Sequence, residues 1–296
     1  MSDLPLDQVR TLLAVVDEQS FDRAAAVLHV TPPAVSQRVK ALEQRVGRVL
    51  VLRSKPVRLT ESGQVLVRFA RQLTRLEADT RAELGLGDDP SARAATLPIA
   101  VNADSLATWF LGALAEVPAA PPISFDLRSD DQDHTAGLLR EGLVMAAVTS
   151  APHPVQGCTV TRLGTMRYRA VASPGFTARW LAGGPLAERL PAAPAVSFDR
   201  KDDLQDRFLR RLTRRRLPEP VRHYVPASVS FVDAVVAGLG WGMVPQRQLT
   251  GRGLTDLAPA RPVDVPLYWQ QWKLDSPPLA AVAAAVSRAA ARELTR

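Results

Sequence analysis

Apolar positions along the first thirty residues recur every three or four residues, which is the spacing of one helix face. Two such stretches follow each other, and Ser20 between them is suited to cap the second helix. Their apolar positions are Val9, Leu12, Leu13 and Val16 in the first stretch and Phe21, Ala24, Ala25 and Leu28 in the second. The pattern therefore predicts two short consecutive helices.

A third helix is predicted between Thr31 and Gly47. Thr31 can serve as its N-cap, and Pro32 fits the first helical position, where a missing N–H costs nothing. Gly47 is typical of the residue that follows a helix. The apolar face of this helix repeats at Val35, Val39, Leu42 and Val46. Three short helices joined by tight turns indicate a helix-turn-helix module, which we assign to a first domain over residues 1–60.

The end of this domain is predicted to form a wing. Residues 49–60 read VLVLRSKPVRLT, with β-forming residues on both sides of a central Ser-Lys-Pro. Such a segment is typical of a short hairpin. The hairpin would present Arg53, Lys55 and Arg58 to an anionic partner.

Basic residues are concentrated in the same domain. From Arg23 to Arg58, eight basic residues stand against one acid, Glu43, an excess of seven; the whole chain has 37 Lys and Arg against 30 Asp and Glu, also an excess of seven. Such clustering favours nucleic acid as the partner. The DNA contacts are expected on the open face of the third helix and on the wing, at Thr31, Pro33, Ser36, Gln37, Arg38, Lys40, Arg53, Lys55 and Arg58.

Within this surface, the start of the third helix is expected to reach base edges. Gln37 can bind adenine through two hydrogen bonds, and Ser36 can contact a base or a phosphate. The wing cations would bind phosphates. The alternative is a small helical module whose basic face is only solvated.

The segment from Ser20 to Gly63 resembles the winged helix-turn-helix of LysR-type transcriptional regulators. The matching motifs are S-F-x-x-A-A-x-x-L, A-V-S-Q-R-V-K-x-L-E, G-x-x-L and L-T-x-x-G. Pro33 departs from the family pattern, in which a small or polar residue is common at this position. The resemblance implies binding to promoter DNA and contact with RNA polymerase, and it extends to the length and layout of the remaining chain.

Residues 61–90 are predicted to form a linker helix. Side chains at spacings of three and four residues form an a/d seam at Leu66, Phe69, Leu73, Leu76 and Thr80. The seam predicts pairing with a second copy of the chain; packing of the helix on its own domain is the alternative. The resemblance favours the pairing, as a dimer or a dimer of dimers. The small and polar residues 85–96 mark the boundary to the next domain.

Residues 91–296 alternate between strand-like and helix-like segments. Strands at 97–101, 123–127 and 145–150, with helices near 104–117 and 135–141, predict a βαβαβ unit with a parallel sheet. A second group has strands at 167–173, 195–199, 223–227 and 240–245. The strand at 265–274 and the helix from about Pro278 to Leu294 are expected to return to the first group. The expected subdomains are therefore about 95–163 plus 264–296, and about 164–263.

The fold class is therefore α/β, with a winged helix-turn-helix, a linker helix and a two-subdomain domain that resembles the periplasmic-binding-protein-like effector domain of LysR-type regulators. Ligands of open α/β sheets bind at the carboxyl ends of strands. Candidate effector-binding residues near those ends are Asn102, Asp104, Ser105, Thr108, Asp130, Thr149, Asp199 and Asp233. Unpaired buried carboxylates are costly, so a cationic ligand is the natural partner.

Each of these acids also has a structural interpretation. Asp104 and Asp233 could be helix caps, and Asp199 could pair with Arg200 or Lys201. Asp130 and its neighbours Asp131 and Asp133 could form a solvated loop.

The segment AVNADSLATWFL at 100–111 is similar to the start of the effector domain in the ArgP/LysG/IciA subgroup of the family. That resemblance implies L-lysine or L-arginine as effector, and control of genes for export or metabolism of basic amino acids. The alternatives are a LysR-type regulator with a different small effector, and an architectural protein acting at chromosome or replication sites.

Several other functions are disfavoured by the sequence. It has no G-x-S-x-G, P-loop or G-x-G-x-x-G motif, so an enzyme is not expected. One cysteine, Cys158, and four histidines without zinc-ligand spacing give no reason to expect a metal or cofactor. We expect an inert thiol at Cys158 and structural roles for Trp269 and Trp272. The arginine-rich run 207–216 is expected to be a solvated helix face or a subunit contact.

The sequence also predicts where the protein acts. It contains no apolar run long enough to span a membrane and no secretory signal, so a solute receptor is disfavoured and a cytoplasmic, nucleoid-associated protein is expected.

Overall fold

The computed structural model describes residues 4–86, 95–119, 122–130, 135–213 and 221–295. The N-terminal head begins with three helices, α1 (Leu6–Asp17), α2 (Phe21–Val27) and α3 (Pro32–Val46). Ser20 caps α2, because its hydroxyl accepts the Arg23 N–H at 3.4 Å, and Gly47 ends α3 with a φ of 70°. Thr31 occupies the N-cap position of α3, but its side chain makes no capping hydrogen bond.

The wing is a two-stranded antiparallel hairpin of β1 (Val51–Leu52) and β2 (Arg58–Leu59). The Thr60 hydroxyl donates to the Val49 carbonyl at 2.7 Å and closes the base of the hairpin. Gly63 follows in the next helix, where a Cβ would lie 2.0 Å from the Leu50 carbonyl oxygen. Only glycine allows the helix to begin this close to the wing.

The linker helix α4 runs over Glu61–Glu83. Leu66, Val67 and Ala70 are buried in the core of the head. Leu66 was predicted to lie in the intersubunit seam, yet the head of its own chain covers it. The large apolar side chains exposed along the described part of α4 are Val65, Phe69 and Leu76, with exposed fractions of 50, 37 and 41 %.

The C-terminal domain contains the predicted βαβαβ unit. Strands β3 (Ala95–Asn102), β4 (Ile123–Asp130) and β5 (Ala146–Thr149) are parallel, with β3 in the middle. The first connection is one continuous helix, built from α5 (Ala103–Ser105), a π-helical turn (Leu106–Phe110) and α6 (Leu111–Ala115). The second connection contains α7 (Thr135–Arg140).

Two long antiparallel strands connect the two halves of this domain. The part of β6 (Cys158–Ala172) from Cys158 to Tyr168 pairs with β11 (Val263–Trp272), and β11 also pairs with β5. The late strand therefore returns to the first group, as predicted. The strand predicted at 167–173 is only the end of β6, which starts nine residues earlier.

The second half does not form one separate sheet. β7 (Ala195–Ser197) and β8 (Arg222–Tyr224) form a parallel pair, whereas β9 (Gly242–Pro245) and β10 (Thr255–Asp256) pair with the end of β6. The helices of this half are α8 (Pro174–Phe176), a π-helical turn (Thr177–Leu181), α9 (Leu186–Arg189), α10 (Leu204–Leu212) and α11 (Ser228–Val236). Two 3₁₀ turns, Leu190–Ala192 and Gln246–Gln248, complete it.

The final helix, α12 (Pro277–Glu293), packs on the first half beside α6. Trp269 and Trp272 are buried in the main core, where the Trp269 ring stacks on Phe110 with centroids 6.4 Å apart. Cys158 is also buried, and burial raises the pKa of its thiol to about 11, which suppresses the reactive thiolate. None of the helices in the described ranges is both long and apolar enough to cross a bilayer.

Candidate DNA-binding and ligand-binding sites

The open face of α3 carries the predicted base-contacting residues. Val35, Val39 and Leu42 are fully buried against α1 and α2, so the opposite side of the helix faces outward. Thr31, Pro33, Gln37 and Lys40 are exposed, and Ser36 and Arg38 are half-buried. Pro33 lies in the first turn, where a helix N–H has no intrahelical acceptor, so it does not interrupt the helix.

The wing adds cations beside this face. Arg53, Lys55 and Arg58 are exposed, and none of them forms an ion pair with an acidic side chain of the described residues. The Arg53 guanidinium lies 5.2 Å from the centre of the Phe21 ring, a cation–π contact that holds it next to α2. The carboxylate of Glu43 forms a hydrogen bond within the head, since its Oε1 accepts the Leu50 N–H at 2.8 Å. The surface therefore keeps its positive charge.

A cleft in the C-terminal domain opens where β3 ends and α5 begins, opposite the start of α11. Its inner cavity has a volume of about 40 Å³ and is lined by Asn102, Ala103, Asp104, Phe198, Asp202, Leu204, Phe231, Met243 and Pro245. An outer cavity of about 590 Å³ shares Ala103 and Phe198 with it and includes Asp199 and Ala227–Val229. The cleft thus has a narrow floor, where polar side chains lie among apolar ones, and a wider mouth.

Asp104 is the central polar group of this floor. Its carboxylate accepts hydrogen bonds from the Tyr168 hydroxyl at 2.7 Å and from the Ser228 hydroxyl at 2.6 Å. Burial raises the pKa of Asp104, and these two hydrogen bonds lower it by less. Because Asp104 is on α5 and Ser228 is on α11, this carboxylate also connects the two halves of the domain.

Asp202 is a second carboxylate in the same cavity. It accepts the Phe198 N–H at 2.8 Å and the Leu204 N–H at 3.1 Å. Burial raises its pKa, and the negative charge of Asp104 raises it further. Among the described residues that line the two cavities, no Lys or Arg is present to balance these carboxylates.

Two further polar atoms near Asp104 have no partner among the described residues. Asn102 and Ser105 are buried, and the Asn102 Oδ1 and the Ser105 Oγ accept or donate no hydrogen bond there. Asn102 lines the inner cavity. A buried carbonyl oxygen without a donor is costly, so the cavity favours a ligand that carries N–H groups.

The other predicted effector residues are dispersed. Asp199 lines the outer cavity and accepts the backbone N–H groups of Lys201 and Asp202. Thr108 donates to the Asp104 carbonyl and lines a different cavity, beside Arg247. Thr149 is buried in β5, where its hydroxyl accepts the Ala151 N–H.

Asp233 is far along α11 and pairs with Arg252 at 2.8 Å on the surface. Neither Asp104 nor Asp233 is a helix cap, because Asn102 and Ala227 occupy the N-cap positions. The backbone of Asp130 pairs with Asn102 in the sheet, whereas Asp131 and Asp133 lie outside the described residues. Arg207 and Arg210 of the arginine-rich run are near Asp203, and residues 214–216 also lie outside the described part.

Tyr168, Asp202 and Ser228 were not among the predicted residues. Asp202 is one of three acids in the run 199–203, and only Asp199 ends the strand predicted at 195–199. Selection by strand ends therefore missed the acid that lines the inner cavity. Tyr168 and Ser228 are 64 and 124 residues from Asp104 in sequence. No local pattern connects positions this far apart.

A basic winged helix-turn-helix, a linker helix and an α/β domain with a ligand-sized cleft define a DNA-binding regulator that has its own sensor domain. The family model for the bacterial regulatory helix-turn-helix protein, lysR family, matches residues 6–64 of the sequence. The family model for the LysR substrate binding domain matches residues 91–291. The chain therefore belongs to the LysR family of transcription regulators, and it is not an enzyme.

Known relatives extend over the whole chain. The HTH-type transcriptional regulator LysG of Mycobacterium tuberculosis is 48 % identical over 100 % of this chain and 97 % of its own length. The lysine export transcriptional regulatory protein LysG of Corynebacterium glutamicum is 44 % identical over 96 % of this chain and 97 % of its own.

Solved structures give the same result. Full-length LysG of Corynebacterium glutamicum with bound effector Arg has 41 % identity and a TM-score of 0.83, covering 99 % of this chain and 100 % of that one. The chain is thus a regulator closely related to LysG.

Proposed function

We propose that the chain regulates transcription in response to L-arginine or L-lysine and governs genes for the export or metabolism of basic amino acids. The observation that carries this proposal is the pair of buried carboxylates, Asp104 and Asp202, in a cavity that no described Lys or Arg lines. A cationic ligand supplies the missing positive charge. The bound Arg of the related LysG and the lysine-export role in the name of another relative support it.

The two ends of a basic amino acid fit two parts of the cleft. A cationic end is stabilised by Asp104 and Asp202 and can donate to the Asn102 Oδ1, which has no partner within the described part of the chain. The first turn of α11 at Ser228 and Val229 lines the outer cavity. N–H groups of a first turn have no intrahelical acceptor and favour a carboxylate. A ligand without a positive charge leaves both acids unbalanced.

Ligand binding is proposed to change the closure of the cleft. Asp104 already connects α5 to Tyr168 and Ser228 across the cleft. A cation that binds Asp104 competes with these hydroxyl donors or orders them. The ligand therefore acts on the contact that joins the two halves of the domain. It shifts their relative position because it binds one arrangement of the halves more tightly than the other.

The remaining partners follow from the head and the linker. We propose that the chain acts in the cytoplasm as a homodimer or a dimer of dimers through α4, binds promoter DNA through α3 and the wing, and contacts RNA polymerase there. Two heads double the number of phosphate contacts and suit a pseudo-palindromic site.

Calorimetric titration of the full-length protein with L-arginine, L-lysine, L-glutamate and L-leucine tests the effector assignment. We expect saturable binding of at least one basic amino acid and none of the two controls. Tight binding of glutamate or leucine, or no binding of either basic amino acid, would contradict the assignment while leaving the DNA-binding head intact.

Two single substitutions separate base contacts from phosphate contacts. Gln37→Ala is expected to weaken binding to an operator selected from a random library by about 1–3 kcal/mol, with little change on non-specific DNA. Lys55→Ala is expected to weaken binding to both DNAs and to reduce the salt slope by about one per subunit. Fluorescence anisotropy at several salt concentrations measures both effects. Equal losses on both DNAs for Gln37→Ala would remove its assignment as a base contact.

A further inference from the structure

Arg71 on α4 joins three parts of the molecule with one side chain. Its Nη2 pairs with the Asp17 carboxylate of α1 at 2.6 Å, and its Nη1 donates to the Glu141 carbonyl at 3.0 Å. Asp17 belongs to the head, and Glu141 follows α7 in the C-terminal domain. A planar guanidinium can bind two acceptors at once in fixed directions, which a Lys ammonium does less well.

The turn after α7 also lies directly against the backbone of α4. Gly142 has a φ of +70°, and a Cβ on it would lie 2.9 Å from the Arg68 Cα. Arg68 itself is only 7 % exposed, and its Nε lies 3.9 Å from the position of a Cβ on Gly157. Glycine at 142 is therefore required both by the backbone conformation and by this close approach.

A third arginine extends the contact along the same side of α4. Arg75 donates to the Thr96 carbonyl of β3 at 3.4 Å and pairs with Asp79. Arg68, Arg71 and Arg75 are spaced three and four residues apart, so they share one helix face. We call the contact of these three arginines with Asp17, Glu141, Gly142 and Thr96 the linker clasp.

Both C-terminal elements held by the linker clasp lead to the ligand cleft. Arg75 binds β3 at Thr96, and the strand ends six residues later at Asn102, a span of about 20 Å. The other element, α7, begins five residues after Asp130, whose backbone pairs with Asn102. A movement at the cleft would thus reach α4 along β3, which lines the cleft at Asn102 and contacts Arg75 at Thr96.

We propose that the linker clasp sets the angle between the head and the C-terminal domain and transmits ligand binding to the DNA-binding head. The proposal rests on the proposed function for the identity of the ligand, L-arginine or L-lysine. It differs from the dimer contact of α4, because Arg71 faces the C-terminal domain of its own chain. Asp17 and Glu141 are the two ends of the transmission, one in each domain.

Thermodynamic coupling between arginine and DNA tests the proposal. If arginine changes the affinity for DNA by some factor, DNA must change the affinity for arginine by the same factor. We expect arginine to change the affinity for DNA by a coupling factor above about five in the wild-type chain. In Arg71→Ala and Gly142→Ala we expect a coupling factor near one. The affinity for arginine without DNA is expected to stay unchanged, because neither residue lines the cleft. Arg71→Lys is expected to give an intermediate factor.

Arg10→Ala is the matched control. Arg10 pairs with Glu77 at 2.7 Å and joins the head to α4, but this pair does not include the C-terminal domain. The control should keep the wild-type coupling factor. A wild-type factor in Arg71→Ala, or an equal loss in Arg10→Ala, would overturn the proposal. Gly142→Ala strains the backbone, so circular dichroism verifies its folding, and Arg71→Ala provides the test if it does not fold.

A second measurement does not depend on the ligand. Spin labels on the head and on the C-terminal domain report their distance distribution by pulsed electron paramagnetic resonance. We expect a broader distribution in Arg71→Ala than in the wild type and in Arg10→Ala. A broader distribution in Arg71→Ala, together with no binding of arginine, would refute the effector assignment and support the role of the linker clasp in setting the angle between the domains. Equal distributions in all three proteins would refute that role.

Discussion

Asp104→Asn is expected to remove binding of the basic amino acid while making the free protein more stable at neutral pH. Truncating one partner of a buried charge pair costs about 2–5 kcal/mol, which raises the Kd roughly thirty- to several-thousand-fold. Asn keeps the size of the side chain and can still accept a hydrogen bond from Tyr168 or Ser228. The expected loss therefore reports the missing negative charge rather than a collapsed cleft.

The stability change has a definite sign. The folded state raises the pKa of Asp104 by burial, so it holds this proton more tightly than the unfolded chain does. The contribution of Asp104 to stability is therefore fully present below its ordinary pKa and is lost as the pH rises through its folded pKa. Asparagine does not ionise, so Asp104→Asn avoids this loss of stability and its Tm should exceed that of the wild type at neutral pH. The difference in Tm should shrink on acidification.

Calorimetric titration with L-arginine and thermal unfolding at several pH values measure both effects. Asp233→Asn is the matched control, because Asp233 is a surface acid paired with Arg252 and lines neither cavity. We expect an unchanged Kd for this control. Wild-type affinity in Asp104→Asn would show that the cation binds elsewhere.

Acidic substitutions at exposed apolar positions of α4 are expected to convert the proposed homodimer to monomers. Phe69 and Leu76 are seven residues apart, so they lie on one side of the helix, and both are partly exposed in the single chain. The double substitution Phe69→Asp/Leu76→Asp removes four apolar side chains from a two-subunit seam, a loss of about 6 kcal/mol or more. Operator binding should fall with it, because a monomer keeps only one head.

Ala78→Asp tests whether position on the helix matters. Ala78 is exposed and is two residues beyond Leu76, which places it on the opposite side of α4. Sedimentation velocity should show monomers for the double variant and the wild-type oligomer for Ala78→Asp. A dimeric double variant would assign the subunit contact to another surface.

The head was predictable from sequence because its information is local. Helix spacing, the Ser20 cap and the stop at Gly47 all depend on residues within a few positions of one another, and the structure reproduces each of these features. The parallel βαβαβ unit was predictable for the same reason. Leu66 was misassigned because a heptad pattern alone does not distinguish a partner helix from the core of the same chain.

The ligand cleft depends on contacts between distant segments. The sequence by itself determined that Asp104 stands at the start of a helix after a strand, where we propose that the ligand binds. Only the tertiary structure placed Tyr168, Asp202 and Ser228 around it, because β6 and β11 pass through both halves and bring residues 64 to 124 positions apart into contact. The same holds for Arg71, whose partners Asp17 and Glu141 are 54 and 70 residues away. Local periodicity determines elements, whereas the burial of charge depends on which elements meet.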